Sequence, residues 1–381
     1  MALTANQQLP FTSRADVLII TALREELEAA KGASLAPAPG EPGVSRWEES
    51  DARSSAPYWW GEYLGRGGRQ WTVALARPTG MSGRLTAPTT TTLVDRLRPS
   101  CLGMSGVCAG NPGDTGLGDV VVAEVAYEWD EGKHSPSGFV GDHRQVALDP
   151  RWLRAAQDFD PARLASHGPA SADEAMLWLL ERLHRDQDPR KHPARDRYFP
   201  EGTWVPRLAQ WEDDGVIARD RDGAVVLTGD GTRLVRRRMY DDVDGPQRLP
   251  FGVLVAPMAS GSAVVADASI WPRLAQMGIR KVAAVEMEAA TVATVARERE
   301  IPRWLVAKGV MDHADMRKDD RYKRFAARAS AEVLFALLDD LVPEMRRPAD
   351  AGESMASSAV HIGGSGHTFH GPIAGRDIRY G

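Results

Sequence analysis

Four consecutive aliphatic residues, Val17-Leu18-Ile19-Ile20, lead within a few positions into a helix-like stretch over residues 24–31. A run with no polar alternation needs apolar cover on both faces, which a strand inside an α/β sheet receives. The pattern then repeats. Residues 58–64 and 71–76 read as strands around the turn Arg66-Gly67-Gly68-Arg69. A helix closes over 93–97, a strand begins at 101–104, and the glycine-rich stretch from Ser105 to Asp119 reads as a loop before a strand at 120–122. Beyond Phe251 come a strand running into a small-residue loop, a helix at 270–276, a strand at 282–285, a helix at 288–300, a strand at 304–308 and a long amphipathic helix at 322–341. This alternation predicts an α/β domain. Residues 32–57, rich in Pro, Gly, Ser and Glu, are expected to be a loop, and the polar residues 1–14 to be loose.

The pattern breaks between residues 168 and 248. Ser171-x-x-Glu174 is a capping box ahead of an apolar helix. A Pro- and charge-rich stretch, a second helix near 204–211, two short apolar runs around a charged turn, and a third helix at 228–239 follow. Helix, helix, hairpin, helix resembles a winged helix-turn-helix. The expected division is therefore 15–167 and 249–345 for the two parts of the α/β domain, 168–248 for an inserted winged-helix-like module, and 346–381 for a Gly-rich tail or docking segment.

Composition removes several function classes. Hydrophobic residues make up 43% and charged residues 26% of the 381 positions, as in soluble globular chains. The net charge of −5 provides no global field for nucleic acid or anionic lipid. Within 171–245, 13 Lys or Arg face 16 Asp or Glu, so DNA binding by the insertion is not expected despite the Arg233, Arg236, Arg237, Arg238 face. Two cysteines, Cys101 and Cys108, make no disulfide framework. No signal-like or membrane-length apolar segment is present, and a cytoplasmic location is expected.

Four ordered segments resemble the purine/uridine phosphorylase superfamily, and most of all its methylthioadenosine/S-adenosylhomocysteine nucleosidases. They are Leu18-Ile-Ile-Thr-Ala-Leu-Arg-Glu-Glu26, Ser105-Gly-Val-Cys-Ala-Gly110 through Gly118-Asp119, Val285-Glu-Met-Glu-Ala-Ala290, and Met311-Asp-His-Ala-Asp315. The resemblance covers about 15–160 and 250–342. It implies a three-layer α/β/α fold with a central mixed sheet, and hydrolysis of a purine N-glycosidic bond without metal or cofactor.

The resemblance also implies roles. Glu26, at a helix start, would activate water as general base. By itself it is also a plain helix-dipole glutamate. Cys108 and Ala109 would line the ribosyl and base region, with Cys108 a packing residue. Glu288 would bind the ribose 2′- and 3′-hydroxyls, since a carboxylate accepts from both donors, and Met287 would pack on the sugar. Asp312 would protonate N7 of the leaving purine, a task for which burial must raise its pKa. Glu286 reads as a bland helix-start glutamate and His313 as a solvent or supporting residue. Val264 falls where the family stacks on the base and an aromatic residue is usual, and backbone groups near Val265 would then carry more of the base recognition. Met311 replaces a usual small polar residue. A phosphate loop of Gly-Asp-Pro-x-Arg type is missing, which favours water over phosphate as nucleophile.

Longer relatives resembling this chain occur as effectors of bacterial anti-phage systems that strip adenine from ATP or related nucleotides. Lys133, in Trp129-Asp-Glu-Gly-Lys133, and Lys318, with Arg317 and Arg321, are the candidate triphosphate contacts. The expected partners are a purine nucleoside or nucleotide, further copies of the chain, and a protein bound through the insertion or tail. The alternatives are a phosphate-dependent phosphorylase and a non-catalytic nucleotide sensor.

Overall fold

A computed structural model describes residues 14–345 except Asp51, Ser137, Arg280 and residues 317–319. The expectations for the tail and for Lys318 lie outside the described residues.

In chain order, β1 (Val17–Ile20) leads into α1 (Arg24–Ser34), two short strands β2 (Gly43–Val44) and β3 (Glu48–Ser50), and the hairpin β4 (Tyr58–Leu64) and β5 (Gln70–Ala76). Then come α2 (Gly83–Leu97), β6 (Cys101–Gly110), β7 (Val120–Glu128), a small hairpin β8 (Gly132–Ser135) and β9 (Gly138–Gly141), β10 (Val146–Ala147) and α3 (Pro150–Gln157). Residues 168–248, the expected insertion, hold α4 (Ala172–His184), α5 (Arg195–Tyr198), α6 (Trp204–Asp213), the hairpin β11 (Ile217–Arg219) and β12 (Val225–Leu227), and α7 (Gly229–Asp241). The chain finishes with β13 (Val253–Ser260), α8 (Ile270–Gln276), β14 (Ala284–Glu286), α9 (Ala289–Glu298), β15 (Arg303–Asp312) and α10 (Lys323–Met345).

The aliphatic run opens a strand whose four residues are fully buried, paired in parallel with β5 on one side and β6 on the other. The sheet is mixed and has eleven strands. β15 pairs with both β6 and β7, so β6, β14, β13, β7 and β15 close into a ring. α1 packs on α10 and α2 on α9, the outer layers of an α/β/α arrangement.

Two sequence expectations are corrected. The glycine-rich stretch after Met104 is not a loop at first: β6 continues to Gly110. Its small residues serve close packing. A Cβ on Gly106 would lie 2.5 Å from Glu26 Oε1, and one on Gly110 would lie 2.6 Å from a Val310 methyl. Residues 32–57 are also not wholly loop, because β2 and β3 there pair with β4.

Within the insertion, Ser171 and Glu174 form the expected reciprocal cap. Trp178 stacks on Tyr198 at 5.0 Å, and Phe199 meets Trp204 edge-on at 4.7 Å. Tyr198 lies in α5, a one-turn helix the sequence reading did not resolve.

Gly309 on β15 gives a direct stability test. A Cβ there would lie 2.1 Å from the Ala326 carbonyl oxygen of α10. Backbone cannot swing aside as a side chain can, so Gly309→Ala is expected to cost about 1–3 kcal/mol, read as a lower urea midpoint at unchanged m-value. An unchanged midpoint would show that α10 can shift freely.

Candidate active site

The C-terminal ends of β1, β6, β14 and β15 face one cavity of about 260 Å³, which the starts of α2 and α10 also border. Strand C-termini are where α/β sheets present side chains to ligands. Glu26, Glu288 and Asp312, far apart in sequence, all line this space.

Glu26 lies in the first turn of α1 and is 3% exposed. Its Oε2 accepts from the Ala22 and Leu23 N–H groups at 2.8 and 2.9 Å, and its Oε1 from the Val107 N–H at 2.8 Å. It therefore caps its own helix and also bridges to β6, where Gly106 leaves room for the carboxylate.

The second carboxylate stands in a charge network the sequence reading missed. Glu288 stands at the N-cap position of α9 without a side-chain cap bond, and its Oε1 accepts from the Ser82 N–H at 2.9 Å. Ser82 holds φ at 109°, a conformation normally left to glycine. Lys308, 1% exposed on β15, places Nζ 3.3 Å from Glu288 and 3.0 Å from Glu286. Burial alone would depress the Lys308 ammonium, but Glu286 and Glu288 reverse the sign and lift it above its ordinary range. Burial pushes the Glu288 carboxyl up; Lys308 opposes that rise and Glu286 adds to it. A lysine inside an apolar strand with two glutamates elsewhere was the available signal. Glu286 sits at the helix start as expected, but buried: it accepts from Ser260 Oγ at 2.5 Å and from the Glu288 and Ala289 N–H groups.

Asp312 ends β15, is 5% exposed, and accepts from the Ala314 N–H at 2.8 Å. His313 is buried rather than solvent-facing. Burial lowers its pKa, and its Nδ1 lies 2.7 Å from the Gly110 carbonyl oxygen.

The apolar walls gather as expected: Cys108, Ala109, Val264, Val265 and Met287 all line the cavity, Val264 at its exposed side. Burial pushes the Cys108 thiol well up, in keeping with packing rather than nucleophilic use. Of the proposed triphosphate contacts, the two among the described residues, Lys133 and Arg321, do not reach the cavity. Lys133 is exposed on β8 and does not border the cavity. Arg321 is drawn away by Glu181 and Asp242. Lys323 does border the cavity, together with Asp320, and pairs with Glu25 at 3.0 Å.

A further acid lies behind this site. Glu128 ends β7 and is raised to about 7, by burial first and then by Glu286, Asp130 and Glu131, with a Thr291 hydrogen bond opposing.

Two outcomes follow from these charges. Lys308→Met leaves two carboxylates buried without their cation and is expected to cost about 3–5 kcal/mol, measured by urea unfolding at pH 7. A loss below about 1 kcal/mol would mean the carboxylates find other compensation. Glu128 titrates higher folded (about 7) than its ordinary 4.5, so its contribution to stability falls as pH rises through that window. Glu128→Gln should therefore raise the melting temperature at pH 8 and leave it nearly unchanged at pH 4. The opposite ordering would refute the assignment.

Residues 248–343 match the sequence profile of the phosphorylase superfamily. A 5′-methylthioadenosine/S-adenosylhomocysteine nucleosidase from Neisseria meningitidis, solved with methylthio-immucillin-A, aligns with a TM-score of 0.50 at 17% identity, over 85% of this chain and 99% of that one. The futalosine hydrolase of Helicobacter pylori aligns with a TM-score of 0.50 at 16% identity, over 85% of this chain and 97% of the other. An uncharacterised protein of Sinorhizobium fredii, y4jS, is 25% identical over 249 residues, 64% of this chain, which spans only 44% of that relative's length. The chain thus has the fold of the phosphorylase superfamily, and its residues 248–343 carry that family's sequence pattern.

Proposed function

We propose that this chain hydrolyses the N-glycosidic bond of a purine nucleoside. The observation that carries the reading is the meeting of Glu26, Glu288 and Asp312 at one cavity with apolar walls. The names of the solved relatives, a methylthioadenosine/S-adenosylhomocysteine nucleosidase and a futalosine hydrolase, support the same chemistry.

In this reading the bond breaks dissociatively. Glu288 accepts from the ribose hydroxyls; the Ser82 amide and Lys308 use only part of its acceptor capacity. Met287 packs on the sugar, and Val264 and Val265 cover the base. Asp312 gives a proton to the departing purine. Glu26 orients water at the anomeric carbon: three backbone donors hold its carboxylate and leave about one of four acceptor positions. Held this way, Glu26 needs no reorganisation to receive the water.

Charge around the cavity bears on the substrate. Among the described residues, Glu26, Glu286, Glu288, Asp312 and Asp320 border it together with Lys323. The acidic groups among these described residues favour an uncharged nucleoside over ATP. The same balance disfavours inorganic phosphate as nucleophile. A silent sensor would not need an acid at the end of β15.

The test is base release. The protein is incubated with a panel of purine nucleosides, a 5′-thioether nucleoside and ATP, and free base is followed by chromatography. Asp312→Asn and Glu26→Gln are each expected to lower kcat by about 10²–10⁴, with free ribose as product at any phosphate concentration. Full activity in Asp312→Asn would remove it as the acid. Ribose-1-phosphate would establish the phosphorylase alternative.

A further inference from the structure

Two of the ties between residues 168–248 and the rest of the chain stand directly behind cavity walls. The first is Asp119, just before β7. Its carboxylate accepts from the Gly116 and Gly252 N–H groups at 2.7 and 2.8 Å, and Arg197 of α5 donates to both oxygens at 2.6 and 2.7 Å. The Asp119 carbonyl accepts from the Val310 N–H at 2.7 Å, and the Gly118 N–H donates to the Val310 carbonyl at 2.8 Å. Val310 lies two residues before Asp312 on the same strand.

The second grip is Glu181 of α4, 1% exposed. It accepts from the Arg321 guanidinium and, at 3.1 Å, from the Tyr322 hydroxyl. Arg321 also reaches Asp242, just past α7, at 3.3 Å. Gly245 completes the contact, for a Cβ there would lie 2.1 Å from the Arg321 carbonyl oxygen. Arg321 and Tyr322 fall between Asp320 and Lys323, which line the cavity.

These are not surface ion pairs. Glu181 and Asp119 are buried and carry several hydrogen bonds each, so each link is stiff and costly to break. We propose that the insertion is a clamp that sets both walls of the cavity, Met311–Asp312 through Arg197 and Asp119, and Asp320–Lys323 through Glu181. Glu181 and Arg197 are then positioning residues for a reaction whose cavity neither borders. A ligand or partner that displaces α4 or α5 would change turnover through this link. What is positioned rests on the nucleosidase reading; the positioning itself does not.

The experiment compares Glu181→Gln, Arg197→Gln and Arg197→Lys with wild type in the full chain, using two readouts. The first is nucleoside turnover. Glu181→Gln and Arg197→Gln should lower kcat by about 10- to 100-fold with KM changed far less, and Arg197→Lys should recover much of the loss. The second is amide hydrogen exchange. Exchange should quicken over 308–314 in Arg197→Gln and over 321–327 in Glu181→Gln, while 17–20 and 73–76 stay protected. Quickened exchange with wild-type kcat would reduce the grips to structural contacts, and unchanged exchange at both stretches would overturn the clamp. If wild type releases no base, the functional reading fails while the exchange readout still decides the clamp. Should Glu181→Gln fail to fold by circular dichroism, the Arg197 pair carries the test.

Discussion

One ammonium group inside the sheet, Lys308, faces two carboxylates, Glu286 at the end of β14 and Glu288 at the start of α9. A lone lysine there would be neutral or absent, because moving an unpaired ion into a protein interior costs several kcal/mol. Two lone carboxylates would be no better. Together they fix the local geometry: Glu286 holds the start of α9 through two backbone amides, and Glu288 is turned toward the cavity, where it holds the Ser82 amide. The side chain proposed to meet the sugar is thus fixed before any substrate enters.

The second requirement is closeness. β6, β15, α1 and α10 approach so tightly that glycine is needed where they touch, at Gly106 against Glu26 and at Gly309 against the backbone of α10. Neither glycine has a positive φ. Their value is the missing side chain rather than a special dihedral, which separates them from turn glycines such as Gly67 and Gly68.

That distinction explains much of what the sequence revealed and what it hid. The aliphatic run at 17–20 and the helix at 270–276 were legible because a period or an unbroken run is a local property. Glu26, Glu288 and Asp312 were named through the resemblance of the motifs that hold them, and the fold brings the three to one cavity. β6 was misread as a loop beyond residue 104 because composition alone cannot tell a glycine packed against a neighbour from a glycine in a turn. Lys308 was missed because its partners lie some twenty residues away. Arg321 was assigned to a phosphate because Glu181 is 140 positions distant in sequence. Ion pairing over such separations is decided by the tertiary fold, which no window along the chain contains.

Closure of five strands into a ring has a further effect. A strand bordered on both sides has no bare row of amides to offer another polypeptide, and the half of the sheet that carries the cavity is built from such strands. Among the described residues, the outermost strands of the sheet are short, β10 and β2 of two residues each and β3 of three. Templates that short grip a stray chain poorly, so the region with the most buried charge is also the region best insulated from runaway strand addition.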